Sequence, residues 1–296
     1  MDIAVSGASG LIGRALTWSL TADGHRVVPL VRPGRPGAGV AWDPERGVID
    51  GSGLEGLDAV VHLAGQGVAS GPWSAARRER ILGSRRDGAA LLAGAMARLA
   101  RPPRVLVSGS AVGYYGSRGD QVLTEDAEPG GDFLARVCVA WEAATRAARE
   151  AGVRVVHVRT GMVLATSGGA LGPQRVAFRL GLGAKAGDGR QWMSWIHLDD
   201  EVAAIRHAIE TPSLAGAANL VSPHPVTNAQ FARSFARSLG RRAPLTIPRL
   251  ATALPFGVGP LVESLLFVSQ RAVPAALERA GFRFRHPDLD EALASL

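Results

Sequence analysis

Over the first 160 or so residues, short runs of β-branched and apolar residues alternate with longer segments whose apolar positions recur at helical spacing. That alternation predicts an α/β protein, with parallel strands joined by helices. IAVSG (3–7) reads as the first strand, LIGRALTWSLTADG as its helix ending near Gly24, and RVVPLV (26–31) as the second strand. DAVVHLAG (58–65), RVLVSGS (104–110) and VRVVHVRTG (153–161) continue the sheet, with helices expected over about 73–99 and 133–151. Between the second strand and DAVVHLAG, the segments AWD and GVID flank a turn-forming PERG, which predicts a small hairpin. The pattern as a whole describes a doubly wound sheet.

Beyond about residue 165 the rhythm loosens into glycine-rich loops, SGGALG and GLGAKAGDG, before WMSWIHLDDEVAAIRHAIE (192–210) returns to strand and helix. In TNAQF, Thr227 can cap a helix while Gln230 reaches back to it. The expected division is a domain of residues 1–165, to which 190–222 return, and a smaller lobe of 166–189 and 223–296 over the carboxyl edge of the sheet. The apolar stretch ATALPFGVGPLVESLLFV (251–268) is interrupted by Pro255, Pro260 and Glu263, whereas a membrane-spanning helix needs about 20 largely uncharged residues. It is therefore expected to be buried helix lining a pocket or a subunit contact, with no membrane partner.

Composition narrows the options further. Of 296 residues, 47% are hydrophobic and 20% charged, ordinary usage for a globular chain. The formal charge of +7 invites an anionic partner, but Lys185 is the only lysine among 33 basic residues and the arginines are scattered along expected helices. Without a basic run interleaved with aromatics, no nucleic-acid partner is expected. Cys138 is the single cysteine, which rules out an internal disulfide and suits a reducing cytoplasm. No C-x-x-C or H-x-x-x-H spacing supports a metal site, and the opening MDIAVSGASG does not read as a signal peptide.

Directly after the first strand, GASGLIG spaces Gly7, Gly10 and Gly13 as G-x-x-G-x-x-G and opens a helix, taking in Ser9, Leu11 and Ile12. Gly7 permits the tight turn, Gly10 lets backbone approach a pyrophosphate, and Gly13 lets the helix pack close to the strand. The helix amides and dipole then receive the negative charge. This is the phosphate turn of a Rossmann-type sheet. An acid that would hold the ribose hydroxyls of NAD is absent from the end of the second strand, which reads VRPGRP. Arg32 and Arg35 stand there instead. Guanidinium groups form bidentate contacts with a 2′-phosphate, so the expected cofactor is NADP(H).

Together GASGLIG, HLAG (62–65), SGSAVGYYG (108–116), RTGMVL (159–164) and WIHLDD (195–200) resemble the extended short-chain dehydrogenase/reductases. With FRLGLGAKAGDGRQ and the tail SPHPVTNAQFA, the whole chain is similar to the nucleoside-diphosphate-sugar epimerase-like group, which has its own C-terminal domain. The resemblance implies that Leu63, Ala64 and Gly65, with Ser108, close the cofactor pocket. It also puts Ser110 at the serine that hydrogen-bonds a substrate oxygen. In that superfamily a Tyr-x-x-x-Lys pair exchanges the proton, the lysine lowering the tyrosine pKa and holding the nicotinamide ribose. Here the pair is missing. Tyr114 and Tyr115 are followed four residues later by Arg118 and Gly119, and registering the FLARVCVAWE helix on Glu142 puts Leu134 and Cys138 at the Tyr and Lys positions.

Two readings follow. In one, an NADP(H)-dependent oxidoreductase or epimerase acts on a sugar nucleotide or other small carbonyl compound, Ser110 positions its oxygen, and Tyr114 or Tyr115 lends a proton. In the other, the chain binds NADP(H) as a sensor with little turnover. Each tyrosine can equally be a packing residue at the sheet edge. Arg136 reads as a solvated residue and Cys138 as a small buried one. His197, Asp199 and Asp200 read as a fold landmark with acids at a helix start. Lys185 and Arg190 face either an anionic substrate or solvent. Oligomeric state is not legible in these residues.

Overall fold

In a computed structural model of the protein, residues 1–32, 39–166 and 168–296 are described. Six strands open the chain: β1 (Asp2–Ser6), β2 (Arg26–Val31), β3 (Val40–Asp43), β4 (Val48–Ile49), β5 (Ala59–His62) and β6 (Val105–Ala111). Beyond them lie β7 (Val122–Leu123), β8 (Arg154–Thr160), β9 (Met162–Leu164), β10 (Ala184–Ala186), β11 (Trp192–Met193), β12 (Trp195–His197) and β13 (Gly216–Leu220). The main sheet runs β13-β8-β6-β5-β1-β2-β3-β4. All its pairings are parallel except β3–β4, which is the expected hairpin, with Trp42 opposite Ile49.

Helices cover both faces. On one side α1 (Leu11–Ala22) and α6 (Leu198–Glu210) bury Leu16, Leu20, Val202, Ile205 and Ile209 against Ile3, Val5, Val61, Val107 and Val158. On the other, α2 (Ala75–Met96), α3 (Phe133–Ala143) and α4 (Arg146–Glu150) pack over β5, β6 and β8, with Leu92, Met96 and Ala148 against Val60, Leu106 and Val155. The Ser74 hydroxyl caps α2 by accepting from Arg77 N. Where one helix was expected over 133–151 there are two, because Thr145 at the break turns its hydroxyl to Glu142 O (2.8 Å) and His157 Nε2 (2.8 Å).

The rest of the chain is stitched on by short two-stranded pairs. β14 (Val226–Thr227) pairs with β11, β15 (Leu245–Ile247) with β10, β16 (Arg271–Ala272) with β7, and β12 with β9. α5 (Leu171–Arg179) and α7 (Asn228–Ser238) share a separate core with Phe178, Phe231, Phe235 and Trp195, and Thr227 and Gln230 make the expected capping box. The 251–268 stretch is not a buried helix. It folds as a 3-10 turn (Arg249–Ala253), a short α-helix (Val258–Val262) and a π turn (Glu263–Phe267), and leaves Leu250 79% and Phe256 89% exposed. Pro255 stops helix propagation, and Phe256 (φ 59°) and Gly257 (φ 80°) then turn the chain through the left-handed region. No helix among the described residues is long and apolar enough to cross a membrane.

Candidate functional site

The glycine turn behaves as its spacing demands. Gly7 has φ 71°, and a Cβ there would come within 2.9 Å of Ala64 N and of Leu63 C at the end of β5. A Cβ on Gly13 would meet Gly7 O at 2.2 Å, so the helix can lie this close to the turn only without a side chain. Gly10 stands at the N-cap of α1, where no side chain takes up the first amides. Amides left free at a helix start can be taken up by water or by an anion.

The turn opens into a cleft of about 980 Å³. Gly7, Ser9 and Gly10 form its floor, Arg32 and Trp42 one wall, Leu63, Ala64, Gly65 and Gln66 the other, and Glu79, Arg80, Ser84 and Asp87 of α2 close it. Arg32 is exposed and pairs with Glu45 at 3.2 Å. Arg35 lies outside the described residues. The side chains of Leu11 and Ile12 turn away from the cleft, Ile12 into the sheet core and Leu11 toward the Gly168–Gly169 loop, so what these two residues offer an anion is their amides at the start of α1. Ser108 is corrected as well. It sits fully buried inside β6, with its hydroxyl against the neighbouring Gly109 carbonyl (3.5 Å), out of reach of the cleft.

The strand β5 that carries this wall is pinned to β1 by Ser6, whose hydroxyl is 2.7 Å from His62 Nδ1 and accepts from Ala64 N (3.3 Å). Burial, with the nearby Arg85 charge, pushes the His62 imidazole down to about 3, so it stays neutral. Trp42 and Trp141 meet its ring edge-on.

Ser110, Tyr114 and Tyr115 come together, but around an ion pair rather than on the cleft. Arg159 is buried and binds Glu142 through two nitrogens, Nε to Oε1 and Nη2 to Oε2, each at 2.9 Å. Burial alone would lower the Arg159 pKa, yet the Glu142 bonds and Tyr115 hold it above its usual range. Ser110, 6% exposed, donates to Glu142 Oε1 (2.7 Å). Its hydroxyl hydrogen is thereby taken by Glu142 here, where the family resemblance implies a bond to a substrate oxygen. Tyr115 is fully buried, donates to Asn219 Oδ1 (2.6 Å), and accepts from Arg159 Nη1 (3.0 Å). Desolvation pushes its phenol up to about 12; enclosed and with its hydrogen on Asn219, it braces the core and presents no free hydroxyl. Tyr114 is half-buried, lies with its ring face 3.4 Å from the Arg159 guanidinium carbon, and among the described residues its hydroxyl has no hydrogen-bond partner.

At the vacant proton-transfer helix, Leu134 packs against the cluster of Trp73, Ile81 and Val137, and Cys138 is buried beside Ala111 O (3.7 Å). Burial, then the Glu142 carboxylate, pushes the thiol up to about 11, so it is not a nucleophile at neutral pH. Arg136 is exposed on Gly131 O (2.7 Å). Lys185 donates to Asp188 O (3.3 Å), Arg190 is nearly fully exposed, and neither lines the cleft.

Asp200 does more than favour a helix start: its carboxylate accepts from Arg285 N (2.7 Å) and His286 N (2.9 Å) and so ties down the tail. His197, Asp199 and His286 gather their ligand atoms within 4.8 Å of one another. No local spacing could announce that group, because His286 comes from the far tail. Sequence reading also passed over Arg85 of α2. The only cue was an arginine three residues before Gly88 on the helix that flanks HLAG.

A profile of the NAD dependent epimerase/dehydratase family matches residues 3–221, and a domain of unknown function (DUF1731) matches 248–296. An epimerase family protein of Mycobacterium bovis is 45% identical over 292 residues, 98% of this chain and 96% of its own. A crystal structure of the human epimerase family protein SDR39U1 with NADPH superposes with a TM-score of 0.91 at 35% identity, covering 100% of this chain and 98% of that one. The nucleoside-diphosphate sugar epimerase of Corynebacterium glutamicum gives 0.82 at 37% identity, covering 99% of this chain and 57% of its own. A Rossmann-type sheet, a glycine turn built to its spacing and end-to-end similarity to these proteins lead to one assignment: the chain belongs to the NAD dependent epimerase/dehydratase family.

Proposed function

We propose that this protein binds NADP(H) across the cleft over β2, β1 and β5, and uses it to move hydride to or from a small carbonyl or hydroxy compound, such as a sugar nucleotide. The observation that carries the reading is the meeting, in one cleft, of an uncapped α1 start with the Arg32 guanidinium at the end of β2. The residues fit the cofactor. A side chain at Gly7 or Gly13 would close the turn, the free α1 amides suit a diphosphate, and Arg32 can leave exposed Glu45 for a 2′-phosphate. The NADPH bound by the human relative supports the same reading.

When bound, the nicotinamide supplies or accepts the hydride. Of the two phenols, only Tyr114 has a hydroxyl left to lend a proton. Reduction asks for such a donor. Epimerisation asks the same site for a base in its first half, and with Leu134 and Cys138 at the Tyr and Lys positions no lysine is there to lower a phenol's pKa. We therefore favour reduction, with the reducing cytoplasm as its setting.

A second reading, a nicotinamide-responsive binding protein, is favoured by one observation: the Ser110 hydroxyl is already committed to Glu142. Titration of the purified protein with NADPH and NADH tests the shared premise. NADPH is expected to bind at least about tenfold more tightly, and Arg32→Asp to erase the difference, since charge-assisted bonds contribute about 1.5–3 kcal/mol. Equal affinities in the unmodified protein would refute the cofactor preference. NADPH consumption across a panel of carbonyl compounds then separates the readings, with tight binding and no consumption favouring the second.

A further inference from the structure

Arg85 projects from the first half of α2 into the seam between β5 and α3. Its Nη1 donates to Gln66 O (2.8 Å) and Ile81 O (3.1 Å), and its guanidinium stacks over the Trp141 ring at 5.1 Å. A Cβ on Gly65 would stand 3.1 Å from its Cζ, so the absent side chain there is what leaves the guanidinium its place. Among the described residues it meets no carboxylate, and Nε and Nη2 make no hydrogen bond. Arg85 is half-buried, and a guanidinium drawn partly out of water gains from a polar partner at its free nitrogens. Arg159 finds one in Glu142, whereas burial leaves Arg85 below its usual pKa, with the nearby Cys138 sulfur opposing the shift.

Its place in the sheet indicates what would compensate it. A dinucleotide lying across β2-β1-β5 puts its 2′-phosphate at Arg32, its diphosphate at the α1 start, and its remaining half over the end of β5, where Gly65 and Gln66 line the cleft. Arg85 does not itself line the cleft but stands directly behind Gly65 and Gln66, with its Cζ against Gly65 and its Nη1 on Gln66 O. Its charge is also felt by Cys138, which occupies the position where the family resemblance calls for lysine.

We infer that Arg85, delivered from α2 rather than α3, binds the nicotinamide-side ribose of NADP(H) and supplies the positive charge that this helix lacks. The inference rests on the proposed cofactor reading. Two nitrogens with free N–H groups, Nε and Nη2, match the paired ribose hydroxyls, and the planar guanidinium, held over Trp141 and by the Gln66 and Ile81 carbonyls, presents them in a fixed fork.

The test uses two ligands: NADPH, and 2′,5′-ADP, which retains the 2′-phosphate end and lacks the nicotinamide half. Calorimetric titration of Arg85→Met is expected to show NADPH affinity reduced about tenfold or more, with 2′,5′-ADP unchanged within about twofold, and Arg85→Lys to recover most of the loss. NADPH affinity unchanged in Arg85→Met, or both ligands lost alike, would overturn the assignment, the latter because it marks collapse of the α2 seam rather than loss of a contact. Unmodified protein that binds neither ligand would instead sink the cofactor reading, and the inference with it.

Discussion

Glu201 is fully enclosed under β8, where Thr160 Oγ1 donates to Oε1 (2.8 Å) and, among the described residues, Oε2 has no partner. Burial, only partly opposed by Thr160, pushes its carboxyl up to about 8. The sign follows from linkage. Below the ordinary carboxylate range both folded and unfolded states hold the proton, and nothing is gained or lost. Between there and about 8 only the unfolded chain ionises, so stability falls as pH rises. Glu201→Gln is therefore expected to raise Tm at pH 8 by several degrees and to change it little at pH 5; an equal shift at both would refute the assignment. The Glu142–Arg159 pair works the other way. Glu142→Ala leaves a guanidinium buried without its carboxylate and is expected to cost about 3–5 kcal/mol in denaturant titration. None of this was readable from spacing. Ser110 and Tyr115 carry the right chemistry in sequence, but which partner takes each hydroxyl depends on Glu142, Arg159 and Asn219, drawn from three other elements.

At the scale of elements, the strands and the hairpin were legible because a parallel sheet buries continuous apolar runs, as in AVVH and RVVHVRT, and because glycine and proline punctuate them. The glycine turn was equally plain, since three steric demands fall at fixed offsets. Gly13→Ala puts a Cβ into Gly7 O, and we expect a loss of about 2–3 kcal/mol together with loss of NADPH binding, read by thermal melting and calorimetry. The tail resisted the same treatment. Its apolar residues suggested a helix, while Pro255, the left-handed Phe256–Gly257 step and the fit of Gly257 against Trp73 backbone decided the course of the chain. Contacts of that kind pair positions almost two hundred residues apart, which no local period reports.

Across the whole molecule, the segment matching the domain of unknown function is woven into the sheet rather than set beside it. Ala276 and Leu277 enter the main core, β16 extends β7, and the buried Glu125 carboxylate accepts from both Asn219 N (3.0 Å) and Ala276 N (3.1 Å). A chain ending at residue 247 is therefore expected to be largely insoluble or to melt without a cooperative transition. A sharp melt close to that of the full chain would show that the sheet stands without its tail.

Trp42 combines two placements described above: it forms a wall of the cleft, and its ring is held edge-on to a permanently neutral His62. An indole fixed at that spot gives the molecule its own optical gauge. Its ultraviolet emission overlaps the absorption of a reduced nicotinamide, so arrival of the coenzyme should dim the tryptophan signal and light the dihydropyridine in proportion, without any dye being attached.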